Sequence, residues 1–215
     1  MTRIHPFKVM ASAPGRLIAL EGIDGCGKST QARLLADRLG ALLTFEPGAT
    51  AVGGALRTLL LEPGQAPVAE HTEALLMAAD RAQHVAEVVR PALDRGTWVV
   101  TDRYSASTMA YQGYGRGLDL EQLARLTEWA TGGLTPDLSV LVDVDLAVGR
   151  ARRSGVPDDR MEGLGDGFRQ RVSDGYRRLA EREETPWLVV DGTGTVEEVA
   201  AEVWAGVQDR LGVPA

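Results

Sequence analysis

One short segment constrains this chain more than any other: a glycine-rich loop between a predicted strand and a predicted helix. The loop reads Gly-x-x-x-x-Gly-Lys-Ser and runs from Gly22 to Ser29. Residues 16–21 before it are mostly apolar, as a buried strand requires, and residues 29–39 after it place leucines on one face of a helix. In this setting, backbone N–H groups and the start of the helix can surround a phosphate group. The sequence therefore predicts a binding site for a nucleoside triphosphate.

The residue types of this loop match defined tasks in such a site. The Lys28 ammonium adds a full positive charge near the β- and γ-phosphates, and the Ser29 hydroxyl can reach a magnesium ion. The predicted ATP-contacting residues are Gly22, Ile23, Asp24, Gly25, Cys26, Gly27, Lys28, Ser29 and Thr30. The loop leaves the activity open, because GTPases and other ATPases carry the same loop.

Short apolar runs alternate with stretches of helical period along the rest of the chain. The predicted strands are residues 16–21, 42–45, 97–101, 138–144 and 187–191. The predicted helices are residues 29–39, 52–61, 70–93 (shortened or kinked by Pro91), 120–130, 169–182 and 196–211. Strands interleaved with helices indicate an α/β fold, with a mostly parallel five-stranded sheet covered by helices on both faces. Together with the phosphate loop, this order predicts the P-loop NTPase fold.

Composition and length argue against several other kinds of protein. The chain has 215 residues, which suits one domain, and its formal net charge is −7, whereas a nucleic-acid-binding face is basic. The apolar runs are far shorter than the ~20 residues that span a bilayer. A single cysteine permits no intrachain disulfide, which suits the cytoplasm. We therefore expect a cytoplasmic protein that binds neither nucleic acid nor membrane. One domain would cover residues 16–215, after a flexible leader at residues 1–15.

Polar residues at predicted strand ends indicate a second substrate beside the triphosphate, because ligands bind open α/β sheets at this edge. Asp24 lies inside the loop, where a carboxylate facing a triphosphate is unfavourable. It is expected to point towards a hydroxyl-bearing substrate, with a simple turn residue as the alternative. Glu46 stands in a Pro-Gly turn after the second strand, and Arg57 lies on the next helix. Taken alone, Arg57 fits a solvated helix face better.

Residues 101–117 follow the third predicted strand and have an acceptor-like composition. Asp102 and Arg103 place a carboxylate and a guanidinium at the sheet edge, where Arg103 can form paired hydrogen bonds with a phosphate. Asp102 is expected to hold a metal-bound water or to orient Lys28. A structural ion pair is the alternative reading of Asp102 and Arg103. The hydroxyl, ring and amide groups suited to a base and a sugar are those of Ser107, Thr108, Tyr111 and Gln112.

A cluster of arginines surrounds a Gly- and Pro-containing stretch at residues 149–165. Its members are Arg150, Arg152, Arg153 and Arg160. Phosphoryl transfer requires cations near the equatorial oxygens and the exclusion of water, and a closing lid provides both. The pattern predicts a mobile lid near residues 150–165, with a solvated helix end as the alternative.

Six segments, taken together and in order, resemble the thymidylate kinase family. They are EGIDGCGKST at 21–30, EPG at 46–48, ADRAQHV at 79–85, DRY at 102–104, AYQGYGRG at 110–117 and DRMEG at 159–163. The resemblance covers the chain from about residue 16 to its end. It implies transfer of the ATP γ-phosphoryl group to dTMP with Mg²⁺, by a protein that is usually a homodimer.

The resemblance also implies a role for each matched position. Asp24 would contact the sugar 3′-hydroxyl of dTMP, while Arg57 and Arg103 would hold its phosphate. Arg81 would hydrogen-bond the thymine edge, and Tyr111 would pack on the deoxyribose. The expected substrate-binding residues are Glu46, Arg57, Met77, Arg81, Arg103, Ser107, Thr108, Tyr111 and Gln112. The expected catalytic residues are Lys28, Asp24, Arg103, Arg150, Arg153 and Arg160, and the expected metal-site residues are Ser29 and Asp102.

Three positions depart from patterns common in the family. Gly25 occupies the loop position where one subtype has an arginine, so in this chain the lid arginines must supply the transition-state charge. Phe45 replaces an arginine before EPG, and Met77 replaces a phenylalanine that stacks on the base. Both changes bear on base preference. Two other functions stay open at this point: a kinase for another nucleoside monophosphate, and a P-loop nucleotide-binding switch without kinase activity.

Overall fold

A computed structural model of the protein describes residues 15–155, 159–182 and 186–213. At its centre five strands form one sheet in the order β2-β3-β1-β4-β5, and every neighbouring pair is parallel. The strands are β1 (Leu17–Glu21), β2 (Leu42–Phe45), β3 (Val99–Asp102), β4 (Leu138–Asp143) and β5 (Trp187–Asp191). The predicted number of strands and the α/β class are confirmed.

Helices connect the strands. The α-helices are α1 (Lys28–Leu39), α2 (Ala51–Leu61), α3 (Glu70–His84), α4 (Arg90–Asp94), α5 (Ser105–Thr108), α6 (Leu120–Thr131), α7 (Leu146–Arg152), α8 (Asp166–Ala180) and α9 (Val196–Leu211). Wider π-helical turns span Val85–Val89 and Met109–Gly115, and a short 3-10 helix spans Glu162–Leu164. Within the described ranges, no helix has both the length and the apolar character needed to cross a membrane.

Alternate residues of β1 pack into separate hydrophobic clusters. Ile18 and Leu20 belong to a cluster with residues of α1, α8 and α9, whereas Leu17 and Ala19 pack with the helical segment around Val89. Because successive side chains of a strand point to opposite faces, helices cover both faces of the sheet. All of β1 is buried as a result, and this explains its mostly apolar sequence.

The predicted long helix at residues 70–93 is interrupted before Pro91. It runs as α3, widens into the π-helical turn Val85–Val89, and continues as α4. Proline has no backbone N–H and its ring crowds the carbonyl oxygen four residues earlier. A widened turn directly before Pro91 accommodates both effects while the chain keeps a helical course.

Two helical segments were missed by the sequence analysis. Residues 105–115 form α5 and the second π-helical turn, and residues 146–152 form α7. The first is rich in Ser, Thr and Gly, which have low helix propensity, so local sequence gives little helical signal. A Cβ on Gly115 would lie 2.6 Å from the ring of Phe168 on α8. Close packing on α8 thus stabilises this helix and requires a small residue there.

Two other predicted features fall partly outside the described residues. Residues 1–14 of the predicted leader and residues 156–158 of the predicted lid are not among them. At the end of the leader, the backbone N–H of Gly15 donates to the carbonyl oxygen of Leu93 (3.0 Å). The described chain is therefore tied to the fold from Gly15 onwards.

Asp119→Ala is expected to destabilise the fold through α6. The Asp119 carboxylate accepts a hydrogen bond from the backbone N–H of Gln122 (2.8 Å) and caps the helix start. Losing such a cap costs about 1 kcal/mol, which for a domain of this size lowers the melting temperature by ~2–4 °C. Thermal unfolding followed by circular dichroism measures the shift. Asp119→Asn, which keeps an oxygen acceptor, is the control; an unchanged melting temperature for Asp119→Ala would refute the capping role.

Candidate active site

The predicted phosphate loop joins β1 to α1 in a conformation that depends on glycine. Gly22, Gly25 and Gly27 have φ angles of 139°, 81° and 100°, a region that residues with a Cβ rarely adopt. A Cβ on Gly25 would also lie 2.2 Å from the carbonyl oxygen of Gly149. Helix α7 therefore packs directly on the loop. This contact is a physical reason why position 25 holds glycine and not arginine in this chain.

A cavity of about 470 Å³ opens beside the loop, and we call it the donor cavity. Residues 25–30 line one side, and Gly192, Gly194 and Thr195 of the turn after β5 line the other. The Arg152 guanidinium bridges the two sides by donating to the carbonyl oxygens of Cys26 (3.3 Å) and Gly192 (2.8 Å). Of the lid arginines, Arg152 is thus the one that reaches this cavity, which sequence spacing did not reveal.

Three charged side chains meet where the loop faces the end of β3. The Asp24 carboxylate accepts hydrogen bonds from Arg103 Nη2 (2.6 Å), Tyr111 Oη (2.8 Å) and Lys28 Nζ (3.3 Å). Burial by itself would raise the pKa of Asp24, but the positive charges of Arg103 and Lys28 lower that pKa well below its usual range. Asp24 is therefore ionised at any working pH. Its charge keeps the two cations close together.

Arg103 is fixed by contacts from several directions. Its Nη1 donates to the carbonyl oxygen of Gly22 (3.1 Å), to Ser107 Oγ (3.2 Å) and to Tyr176 Oη (2.9 Å). Its backbone has a φ of 73°, an uncommon conformation for a residue with a side chain. Such conformations cost of order 1–3 kcal/mol and persist where surrounding contacts impose them. The guanidinium is thus held at one place before any substrate binds.

Ser29 and Asp102 suit a magnesium ion. The Ser29 hydroxyl donates to Oδ2 of Asp102, while Oδ1 of Asp102 is buried without a hydrogen-bond partner in the described structure. A buried carboxylate oxygen left without a donor favours a cation or a water bound to one. Mg²⁺ takes oxygen ligands and usually binds through one or two protein groups plus waters and phosphates. The two residues, beside Lys28 of the loop, fit that description.

A second cavity, of about 110 Å³, lies beyond Asp24, and we call it the acceptor cavity. Every predicted substrate-binding residue lines it: Glu46, Arg57, Met77, Arg81, Arg103, Ser107, Thr108, Tyr111 and Gln112. Arg57 Nη1 donates to the carbonyl oxygen of Pro47 (2.7 Å), and this contact ties it to the turn that carries Glu46. Arg57 is nevertheless exposed on α2, so the alternative of a solvated helix face stays open. The residues come from four separate segments of the chain, so tertiary folding assembles the cavity.

The buried guanidinium of Arg81 is held by three acceptors. It donates from Nε to Glu46 (2.8 Å), from Nη1 to Thr108 Oγ1 (2.8 Å) and from Nη2 to the carbonyl oxygen of Tyr104 (2.9 Å). The other Glu46 oxygen contacts Nδ1 of the buried His84 (2.8 Å). Because an arginine carries five N–H donors, Arg81 keeps two for a ligand. Its orientation is set by the protein.

Glu21 supports the site through hydrogen bonds to residues that hold Arg103. It was not among the functional residues predicted from the sequence. It is completely buried at the end of β1, where its carboxylate accepts hydrogen bonds from the backbone N–H of Tyr104 (2.9 Å), Ser107 Oγ (2.7 Å) and Tyr176 Oη (3.2 Å). Burial raises its pKa. Ser107 and Tyr176 in turn hold Arg103. The available signal was a charged residue ending an otherwise apolar strand.

The predicted lid arginines occupy different places. Arg150 and Arg153 line a third cavity of about 390 Å³, the lid cavity, which shares Asp24 and Tyr111 with the acceptor cavity. Arg150 also pairs with Asp166 (2.6 Å) at the surface. Arg160 lies away from Arg150 and Arg153, since its Nη2 donates to the buried carboxylate of Glu73 (3.1 Å). Of the three lid arginines expected to be catalytic, Arg150 and Arg153 thus line one cavity with Asp24, whereas Arg160 lies elsewhere.

Comparison with known proteins identifies the family. Residues 20–203 match the family model described as thymidylate kinase. A protein named thymidylate kinase from Synechococcus sp. (strain CC9902) is 48% identical over 209 residues, which cover 92% of this chain and 99% of the relative. Another from Prochlorococcus marinus (strain MIT 9303) is 46% identical over 209 residues, covering 92% of this chain and 96% of the relative. The chain belongs to the thymidylate kinase family.

A solved structure extends this finding to the fold. The crystal structure of thymidylate kinase from Ehrlichia chaffeensis matches with a TM-score of 0.74 and 30% sequence identity, over 91% of this chain and 100% of that chain. The predicted P-loop NTPase fold is therefore confirmed. As a member of the thymidylate kinase family, the chain is a phosphotransferase of the nucleoside monophosphate kinase class, as the sequence predicted.

Asp80→Asn is expected to stabilise the protein at neutral pH but not in acid. Burial and then the Glu46 carboxylate raise the pKa of Asp80 to about 6, against ~3.9 in an unfolded chain. Between these values the folded state binds a proton at Asp80 that the unfolded state lacks, so the contribution of Asp80 to the free energy of unfolding is largest in acid and is lost as pH rises through ~6. Asparagine avoids this loss because it carries no charge, while its side-chain oxygen can still accept from Gly48 N (2.9 Å for Asp80).

Urea denaturation of both proteins at two pH values measures this effect. We expect Asp80→Asn to be more stable by ~1–3 kcal/mol at pH 7.5, with the difference shrinking towards zero at pH ~4.5. A difference of equal size at both pH values would show that the charge of Asp80 is not its cause.

Proposed function

We propose that this chain transfers the γ-phosphoryl group of ATP to dTMP, giving dTDP and ADP. The observation that carries the proposal is that Asp24 and Arg103 connect the phosphate loop with a cavity lined by every predicted substrate-binding residue. A nucleotide switch needs no such second polar cavity, and membership of the thymidylate kinase family favours dTMP over other monophosphates. We place the reaction in the cytoplasm, since a chain with a single cysteine and hence no intrachain disulfide suits a reducing compartment.

On the donor side, the loop and Lys28 bind the ATP phosphates. The loop N–H groups and the start of α1 provide partial positive charge, and the Lys28 ammonium provides a full one. Ser29 and Asp102 would hold Mg²⁺, which neutralises charge on the β- and γ-phosphates when bound. Arg152, which bridges the loop and the turn after β5, borders the place where the adenosine would lie.

On the acceptor side, Arg103 and Arg57 bind the phosphate of dTMP. The second pKa of a phosphate monoester is about 6, so the attacking oxygen is already anionic near neutral pH. A strong general base is therefore unnecessary, and the site has to position two anions and offset their repulsion. Asp24 holds both Arg103 and Lys28, so the Arg103 guanidinium would lie between the donor and acceptor phosphates.

The base of the acceptor is bound by polar groups that are already oriented. The remaining Arg81 donors match the carbonyl oxygens of a thymine edge, and Thr108 and Gln112 lie on the same wall. Met77 provides an adaptable apolar contact for the ring face, at the position where the resemblance to the family implies a phenylalanine. Fixed donors discriminate more strongly than apolar contacts, since a mismatched base leaves them unpaired.

Charge that develops during transfer is stabilised from the lid cavity. Arg153 lies there with Asp24 and Tyr111, next to the acceptor cavity. In phosphoryl transfer an arginine at this point is worth ~10³–10⁵ in rate. We assign this role to Arg153, with Arg150 on the same wall as the second cation.

An acceptor panel tests the proposal. With ATP and Mg²⁺, coupled ADP release is expected to be strong with dTMP and much weaker with dUMP, CMP and GMP. Arg57→Gln should raise the KM for dTMP by ~10–100-fold, because a charge-assisted contact to phosphate is lost. Arg33→Gln, an exposed arginine on α1, is the matched control. Preferred turnover of another monophosphate would reject dTMP as the substrate, and no turnover of any would reject the kinase.

We further propose that the protein is a homodimer through the outer face of α2, α3 and α6. Helix α3 packs between α2 and α6, and this face exposes large apolar side chains. They are Val52 and Leu59 on α2, Leu75 on α3 and Trp129 on α6, whose exposed fractions are 49%, 37%, 57% and 82%. Apolar patches of this kind mark interaction surfaces, and a second copy of the chain is the occupant that the resemblance to the family implies.

Leu75→Glu is expected to convert the dimer into a monomer, because it places a charge in the apolar interface. Size-exclusion chromatography with light scattering measures the mass. Val189→Glu changes an apolar side chain of similar exposure (51%) on β5, away from this face, and should leave the dimer intact. A monomeric parent protein, or a dimer that survives Leu75→Glu, would contradict the assigned face.

A further inference from the structure

The completely buried carboxylate of Glu73, on α3, collects three side chains from elsewhere in the chain. Gln112 Nε2 donates to Oε1 (3.1 Å), while Arg116 Nη2 (2.7 Å) and Arg160 Nη2 (3.1 Å) donate to Oε2. Arg116 adds a contact from Nε to Oε1 (3.2 Å). We call these residues the Glu73 cluster. It lies outside the phosphate chemistry described above.

The Glu73 cluster connects the acceptor cavity to the end of the lid segment. Gln112 lines the acceptor cavity, and Met161, the neighbour of Arg160, lines both the acceptor cavity and the lid cavity. Met161 is 4% exposed, and its sulfur is 4.0 Å from Arg116 Nη2. A shift of the Glu73 carboxylate would therefore move a polar wall and an apolar wall of the substrate site together.

Arg160 is bound to this cluster by more than charge. Its Nε donates to the carbonyl oxygen of Leu60 (2.7 Å), and its backbone N–H donates to that of Leu61 (3.0 Å). To reach the phosphate loop, the guanidinium would have to leave Leu60 and remove one of two cations from a buried carboxylate. Buried charges are costly when they lose a partner. Arg153, by contrast, already lies with Asp24 in the lid cavity.

We propose that Glu73 is a positioning residue that holds Gln112 and Arg160, so that Arg160 anchors the lid end against the acceptor cavity and supplies no transition-state charge. This inference rests on the proposed dTMP kinase function and replaces the catalytic role that the sequence pattern assigned to Arg160. It makes acceptor binding, and not the transfer step, depend on Arg160.

Kinetics of Arg160→Gln and Arg153→Gln separate the two roles. Arg160→Gln is expected to raise the KM for dTMP ~10-fold or more and to change kcat by less than ~3-fold, since positioning of the bound acceptor is lost. Arg160→Lys, which keeps the charge, should recover part of that KM. Arg153→Gln should lower kcat by ~10³-fold. A similar kcat loss in Arg160→Gln, with the KM for dTMP unchanged, would overturn the inference.

Hydrogen exchange provides a readout that needs no kinase activity. In Arg160→Gln, the backbone amides of residues 160–164 are expected to exchange ~10-fold or more faster, because the anchor that restrains local opening is removed. Arg125→Gln is the matched control, since Arg125 is an exposed arginine of α6 that pairs with Glu121 (2.5 Å). Unchanged exchange in Arg160→Gln would overturn the anchor. Absence of dTMP turnover by the unmodified chain would instead refute the proposed function.

Glu73→Gln tests the carboxylate itself. It should reproduce the raised KM for dTMP and the faster exchange of residues 160–164. Combining it with Arg160→Gln should add little to these two effects, because both variants remove the contact between Glu73 and Arg160. Full additivity would overturn the coupling. Near-ultraviolet circular dichroism and thermal melting check that each variant is folded. If Glu73→Gln does not fold, the variants of Arg160, which is partly exposed, test the anchoring role on their own.

Discussion

The site depends on one ion pair, between the Asp24 carboxylate and the Arg103 guanidinium at 2.6 Å. Asp24 belongs to the loop after β1, and Arg103 follows β3, the neighbour of β1 in the sheet. Their contact joins the phosphate loop to the acceptor cavity. Lys28 on one side and Tyr111 on the other complete the coordination of Asp24. The donor and acceptor halves therefore share a single charged centre.

This centre is organised before substrate arrives, which is what electrostatic catalysis requires. Arg103 is held by the Gly22 carbonyl oxygen and by Ser107 and Tyr176, and the buried Glu21 holds those two hydroxyl groups. Donors fixed in a site of low polarity need not reorganise as charge develops. The arrangement fits a reaction whose nucleophile is already an anion, because positioning and charge compensation are then the main tasks of the protein. Holding Arg103 in this position imposes local backbone strain, because its φ angle is positive.

Many residues of the candidate site could be predicted from the sequence, and the residues that were missed or not told apart have identifiable causes. Residues at strand ends, such as Glu46 and Arg103, were expected to lie together because parallel strands bring their carboxyl ends to one edge, and both line the acceptor cavity. The arginines at residues 150–160 could not be separated, because they follow one another in a segment with no strand to fix their direction. The burial of Glu73 could not be predicted, because on a helix of mixed polarity the sequence does not distinguish a buried glutamate from a solvated one.

The sequence by itself determined the phosphate loop, the alternation of strands and helices, and the types of residue expected around the substrates. Those features depend on local chemistry: glycines that allow positive φ, apolar runs that need burial, and residue types suited to phosphate and base. Only the tertiary structure decided which arginine faces which partner. Arg152 lies on the donor cavity, Arg153 in the lid cavity, and Arg160 against Glu73. The physical reason is that the direction of a long charged side chain depends on the groups that it contacts, and those groups come from distant parts of the chain.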